Sequence, residues 1–278
     1  MTIERLLDET SYFVAGHRGF KSAYPENTLL SFQEALKLGV DMLEFDLRFS
    51  KDRVVVVIHD DTLDRTTNGT GKVSDRRLAE IMQLDAGGRF GKPFEGLKIP
   101  TLEELCELLR PYPDVLLNVE IKPAAVAKDV ADAAIATLRE YGFLPRSVFT
   151  SFDADVVAHI HDVYGLKTQG FPGELMHNFV PGTDGTYSKM WAVGISMKLL
   201  TPTLVQRFKD MGVLTWCYCP DDDRQVYYAI GCGASLMTCN DPRPACGFAG
   251  KSEANRSSAN PRGSFRCRTL RPLISSAV

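Results

Sequence analysis

Several things are scarce in this chain, and each absence removes a class of answers. No apolar run approaches the roughly 20 residues of a membrane span, so no transmembrane helix is expected. The opening residues, MTIERLLDET, are charged and lack an apolar core, so no secretory signal is visible there. An excess of one charge is missing too. The 32 basic and 35 acidic side chains leave a formal charge of −3, which gives nucleic acid or an anionic membrane no general hold. No similarity recurs at a fixed period, which argues against a scaffold of repeats. Paired cysteines are also lacking. Seven occur, at positions 106, 217, 219, 232, 239, 246 and 267, an odd number with six late in the chain. No His/Cys cluster has the spacing of a zinc finger. Free thiols in a reducing, cytoplasmic setting are the expectation.

What is present is ordinary globular composition, 44% hydrophobic and 24% charged over 278 residues. That length suits a single (β/α)8 barrel of about 250 residues. Strand-like and helix-like stretches alternate. FVAGHRG reads as a strand and NTLLSFQEALKLG as an amphipathic helix, with Asn27 as N-cap and Gly39 as its stop. MLEFDLRF is the next strand. TLEELCELL is a helix opened by Thr101 with Glu104 as capping-box partner. VLLNVEIK, SVFTSF, LKTQGF, AVGIS, VLTWCYC and SLMTCN continue the strands, with helices between most of them. The pattern predicts an α/β fold, a (β/α)8 TIM barrel.

Counting VVVVIHD, there are nine strand candidates for eight places. The turn signal SKDR makes VVVVIHD the returning arm of a hairpin. A two-residue loop at Lys51-Asp52 sets Phe49 opposite Val54, Asp46 opposite Val57 and Glu44 opposite His59. Residues 60–100 are too many for a simple βα loop and read as a small insertion after the second barrel strand, with a short helix in SDRRLAEIMQL. The barrel domain is expected over residues 1–243, and a tail without helical periodicity over 244–278. From Ala245 onward that tail has six Lys/Arg and one acid.

The strand ends carry the chemistry. His17 and Arg18 end the first. Glu44 and Asp46, at i and i+2, share one face of the second, and the hairpin returns His59 to them. Glu120 and Lys122 share a face of the third, and Trp216 and Asn240 lie on the last strands. In a (β/α)8 barrel the C-terminal strand ends converge on one surface. Three carboxylates gathered there stay ionised most readily around a cation, and all-oxygen ligands favour Mg²⁺ or Ca²⁺ over zinc. Arg18 and Lys122 suit a phosphate, and two histidines suit general acid–base work. Singly, each residue reads as an ordinary surface carboxylate or core histidine. Together they fit metal-assisted cleavage of a phosphodiester.

These residues resemble a known family. HRG…PENTLLSFQEALKLGVDMLEFDLRFSKD…VVVVIHD, then TLEEL…LLNVEIKP and GASLMTCNDP, are similar to the signature of the glycerophosphodiester phosphodiesterases, from about Phe13 to Pro242. The resemblance implies a TIM barrel with an inserted subdomain and hydrolysis of glycerophosphodiesters to sn-glycerol 3-phosphate and an alcohol. It implies Glu44, Asp46 and Glu120 as ligands of one divalent cation and His17 and His59 as the acid–base pair. Arg18 and Lys122 become phosphate ligands. In that family a glycerol hydroxyl attacks phosphorus first, and water opens the resulting cyclic phosphate.

Other positions leave alternatives open. Glu26 and Asn27 either touch the site or serve locally. Trp216 either packs against an alcohol or glycerol moiety or fills the barrel core. His159 and His161 fall on an outer helix, His177 in a Gly/Pro-rich loop, and PDDDR in an acidic loop rather than a second metal site. A small-molecule substrate is expected, without nucleic acid. Two other functions stay in view: a lysophospholipase D acting on lysophospholipids, and a non-catalytic barrel that only binds phosphodiesters. A pure binder has no need of an acid–base pair.

Overall fold

The computed structural model describes residues 2–8 and 11–248. In chain order the strands are β1 (Phe13–His17), β2 (Met42–Phe49), β3 (Val55–Val57), β4 (Leu116–Ile121), β5 (Ser147–Thr150), β6 (Thr168–Gly170), β7 (Ala192–Ser196), β8 (Leu214–Tyr218) and β9 (Leu236–Cys239). Eight of them, all but β3, are parallel neighbours in chain order, and β9 pairs back with β1 to close a (β/α)8 TIM barrel. Helices α1 (Leu29–Leu38), α3 (Leu102–Leu109), α4 (Ala127–Glu140), α5 (Ala154–Tyr164), α6 (Pro202–Asp210), α7 (Asp223–Cys232) and α8 (Arg243–Phe248) pack outside, and the short α2 (Leu78–Ile81) lies in the insertion. None is long and apolar enough to cross a membrane.

Alternation along the strands separates two environments. Leu43, Phe45 and Leu47 of β2 belong to the apolar layer under the helices, with Leu105 of α3 and Phe32 of α1. Met42 belongs instead to the barrel floor, with Phe13, Leu116 and Leu236, and a 3₁₀ turn at Ile3–Leu7 plugs that floor with Ile3 and Leu6. Glu44 and Asp46 point the same way as Met42 but further up the axis. Strands buried on both faces should be almost wholly apolar. The charged residues that interrupt them mark where the site lies.

Two local details differ from the sequence reading. β3 does run antiparallel to β2 outside the ring, but one residue out of the expected register: Leu47 faces Val57 and Phe49 faces Val55. The loop has three residues, because Arg53 takes a left-handed conformation (φ +63°) while Ser50 N–H bonds the Val54 carbonyl at 2.9 Å. The N-cap of α1 is Thr28, not Asn27. The Thr28 hydroxyl accepts the Ser31 N–H at 3.2 Å, which leaves the Asn27 side chain free for other work. The Thr101–Glu104 capping box forms as expected on α3.

Residues 60–100 cross the barrel mouth with a small core of their own, in which Leu63, Val73, Ile81 and Ile99 pack against Val56 and Ile58. At the other end of the chain, helix α8 occupies the start of the segment expected to lack periodicity. Pro244 lies in its first turn, where the missing N–H is harmless, and Ala245 is fully buried. Residues 249–278, including Cys267 and most of the expected tail, lie outside the described residues. Cys106, Cys217, Cys219, Cys232 and Cys239 are free thiols.

Candidate active site

A sharp turn ends β1 and creates the first half of the site. Arg18 (φ +53°) and Gly19 (φ +84°) are both left-handed. Any side chain at position 19 would collide with Ser31, 2.4 Å from an ideal Cβ, so only glycine fits. The turn aims the Arg18 N–H at Glu44 Oε2, at 2.9 Å. It also spreads the Arg18 guanidinium between Asp46 (Nε to Oδ2, 3.2 Å) and Glu26 (Nη1 to Oε1, 2.8 Å). Asn27, released from capping, donates its amide to Asp46 Oδ2 at 2.8 Å. Lys122, only 7% exposed, lies 3.4 Å from Asp46 Oδ1 and bonds Glu120.

The carboxylates of Glu44, Asp46 and Glu120 each place one oxygen within 4.8 Å of the others, all three residues buried. Burial, then Asp46 and Glu120 beside it, pushes Glu44 well above the usual carboxylate range. Burial also raises Glu120, although Lys122 opposes it. Asp46 goes the other way: Arg18 and Lys122 outweigh its burial and hold it low. Glu44 Oε1 and Asp46 Oδ1 are buried with no hydrogen-bond partner. Oxygens without a hydrogen bond among three crowded carboxylates are costly alone and suited to a hard cation. The residues present therefore fit a divalent metal ion.

The two histidines stand on either side of this trio, each held through Nδ1. His17 Nδ1 meets Asn240 Oδ1 at 2.6 Å, and its Nε2 lies 3.8 Å from Glu44 Oε2. Asn240 cannot turn over, because its own amide nitrogen donates to Asp221, which also accepts the Asn240 backbone N–H at 2.7 Å. His17 Nδ1 must then carry the proton, leaving the Nε2 lone pair in the site. Burial, with Lys21 and Arg18 nearby, lowers its pKa to about 3, so the ring is neutral. His59 Nδ1 instead meets a carboxylate, Asp60 Oδ1, at 2.7 Å. Burial lowers His59 as well, while Asp46 and Asp60 oppose that shift. Arg65, from the insertion, grips both Asp60 and Glu26 with two hydrogen bonds each.

The structure thus brings His17, Arg18, Glu44, Asp46, His59, Glu120 and Lys122 to one mouth, with Glu26 and Asn27 beside them. It does not bring Trp216. That indole is 1% exposed in the floor, edge-on to Trp191 at 6.0 Å. The strand alternates with period two, so the next inward residue, Tyr218, is the one at the mouth. There it meets Phe171 edge-on at 6.0 Å, and Phe171 stacks on Phe152 at 3.5 Å. His159 and His161 pair with Asp132 and Asp162 on the outer helices, and His177 is exposed. Asp60, Arg65, Asp221 and the aromatic wall went unmarked in the sequence. Within the acidic PDDDR loop, Asp221 turns inward and Asp222 caps α7.

Known proteins resemble this chain in sequence and in fold. A glycerophosphodiester phosphodiesterase of Caldanaerobacter subterraneus subsp. tengcongensis is 45% identical over 141 residues, covering 50% of this chain and 58% of that protein. One from Bacillus altitudinis is 41% identical over 219 residues, 71% of this chain and 88% of the relative. The crystal structure of a glycerophosphodiester phosphodiesterase from Agrobacterium tumefaciens superposes with a TM-score of 0.71 at 26% identity, covering 83% of this chain and 97% of that one. The model of the glycerophosphoryl diester phosphodiesterase family matches residues 17–243. That span takes in every charged strand end of the site, and the chain belongs to this family.

Proposed function

We propose that the protein hydrolyses glycerophosphodiesters to sn-glycerol 3-phosphate and an alcohol, using one divalent cation, Mg²⁺ or Ca²⁺, at Glu44, Asp46 and Glu120. The observation that carries the reading is the pair of differently anchored histidines around a buried carboxylate trio. The metal supplies positive charge that stabilises the phosphoryl oxygens. Arg18 and Lys122 hold and orient the phosphate from the same side as Asp46.

The anchors divide the proton work. His17 faces a neutral amide and has a free Nε2 lone pair, so it takes the proton from the glycerol hydroxyl that attacks phosphorus. The nearby Glu44 carboxylate steadies the imidazolium formed. His59 faces the Asp60 carboxylate, which favours its protonated form, so it gives a proton to the departing alcohol oxygen. The phosphorus–oxygen bond to the alcohol breaks as the bond to the hydroxyl oxygen forms. The roles then reverse as water opens the cyclic phosphate.

The test is glycerol 3-phosphate release from glycerophosphocholine and glycerophosphoethanolamine, after EDTA treatment and again with Mg²⁺ or Ca²⁺ restored. Release should return with metal, and His17→Ala should lower it by about 10²- to 10⁴-fold. Lysophosphatidylcholine, run alongside, separates this reaction from lysophospholipase D chemistry at the same site. Folded, metal-loaded protein that releases nothing would refute the proposal.

A further inference from the structure

One cation at the mouth stands apart from the paired charges around it. Lys21 follows the His17–Gly19 turn and is half-buried, yet it makes no hydrogen bond or ion pair among the described residues. It lies close enough to His17, Arg18 and Glu26 to influence all three electrostatically. Burying a charge without a partner is unfavourable, and a fold that keeps one at a ligand-facing rim has a use for it.

Lys21 lines a pocket of about 120 Å³ with Glu26, Arg65, Thr66 and Arg89. Arg65 is matched by Glu26 and Asp60, and Glu26 also answers Arg18. Arg89 spends its Nε on the Thr67 carbonyl, which leaves its two terminal nitrogens for other partners. The surplus charge of the pocket is therefore that of Lys21 and Arg89. Glu26, shared with Arg18, joins the pocket to the phosphate end of the site. Beyond Lys122, at the β5–β8 edge of the mouth, the wall is the uncharged set Phe152, Phe171 and Tyr218.

We propose that this pocket binds an anionic group, a carboxylate or a phosphate monoester, on the alcohol part of the substrate, and that Lys21 and Arg89 set a preference for diesters carrying one. The inference rests on the hydrolysis proposed above. The glycerol end of such a diester bears only hydroxyls, so the charge that fits the pocket comes from the other alcohol. Charge-assisted hydrogen bonds are about twice as strong as neutral ones, which is enough to sort substrates of equal size.

Glycerophosphoserine and glycerophosphoethanolamine differ only by a carboxylate and isolate this effect. For the metal-loaded wild type, kcat/KM should be about tenfold higher on the serine diester. Lys21→Met should bring the serine-to-ethanolamine ratio close to one, Arg89→Met should reduce it less, and Lys21→Arg should restore it. The ratio should also fall as salt is raised. A wild-type preference for ethanolamine, or an equal loss on both diesters in Lys21→Met, overturns the inference and leaves the hydrolase reading standing. Turnover of neither diester overturns both.

Discussion

Asp221 is not one of the three clustered carboxylates, yet one of the two histidines depends on it. Its carboxylate accepts the backbone N–H groups of Asn240 and Asp241, at 2.7 and 3.2 Å, and the Asn240 amide as well. Asp221→Asn removes the reason for that amide to keep Oδ1 towards His17. A flipped Asn240 presents its NH₂ group and moves the His17 proton from Nδ1 to Nε2, where it blocks proton uptake. The variant should fold normally and lose about 10- to 100-fold in kcat with little change in KM. Nitrogen-15 spectra of its histidines should show the exchanged tautomer. An unchanged tautomer with normal kcat would remove Asp221 from the positioning role. The sequence does not reveal this residue, because its partner lies 19 positions away and three consecutive aspartates resemble a solvated loop. Lys21 is hidden for the same reason: its meaning depends on which cations the insertion brings beside it. The carboxylates of β2 and the Glu120–Lys122 pair were legible, because a charge inside an apolar strand is anomalous wherever the strand goes.

At the scale of elements, the strands and most helices follow from periodicity and caps, whereas joints depend on single conformations. Arg53 in a left-handed turn shifts the hairpin by one residue, and no residue type there announces it. The insertion was legible as a segment, but not its attachment. Arg65 ties it to the barrel by bridging Glu26 and Asp60. Burial raises Glu26, but hydrogen bonds from Arg65 and the charge of Arg18 bring its pKa down to about 2, and Asp60 is lowered chiefly by Arg65. Carboxylates held low in the folded state add stability above their unfolded pKa, and lose it as pH falls through the folded value. Arg65→Met should therefore cost about 1 kcal/mol at pH 7, a modest figure because the guanidinium is half-exposed and screened. The gap from wild type should narrow below pH 4.5 and keep shrinking to the acid end, as Glu26 protonates near pH 2 and Asp60 below it. Urea melts across that range test it. A gap that stays constant with pH would mean that the clamp contributes by packing rather than by charge.

Across the whole molecule, stability and chemistry occupy opposite ends of one barrel. The alternation of strand and helix made the closed ring legible, but not the way its lower end is sealed. The seal comes from a short turn before the first strand, where Ile3 and Leu6 are 2% and 1% exposed against Phe13, Trp216 and Leu236. Nothing in IERLL marks it as a plug, since five residues are too few for a period to show. The same seal explains Trp216, which is committed to the floor and has its ring under the inward residues of the mouth. Truncating Leu6 to alanine should leave a cavity in this packing and cost about 2–5 kcal/mol, read as a lower urea midpoint. The charged mouth is built from the other ends of the strands and shares no side chain with the plug. In conditions where the variant remains folded, kcat/KM on glycerophosphoethanolamine should stay within about twofold of wild type. A loss of turnover in folded Leu6→Ala protein, with its metal restored, would show that the floor sets the geometry of the mouth through the strands. The two ends would then have to be treated as one cooperative unit.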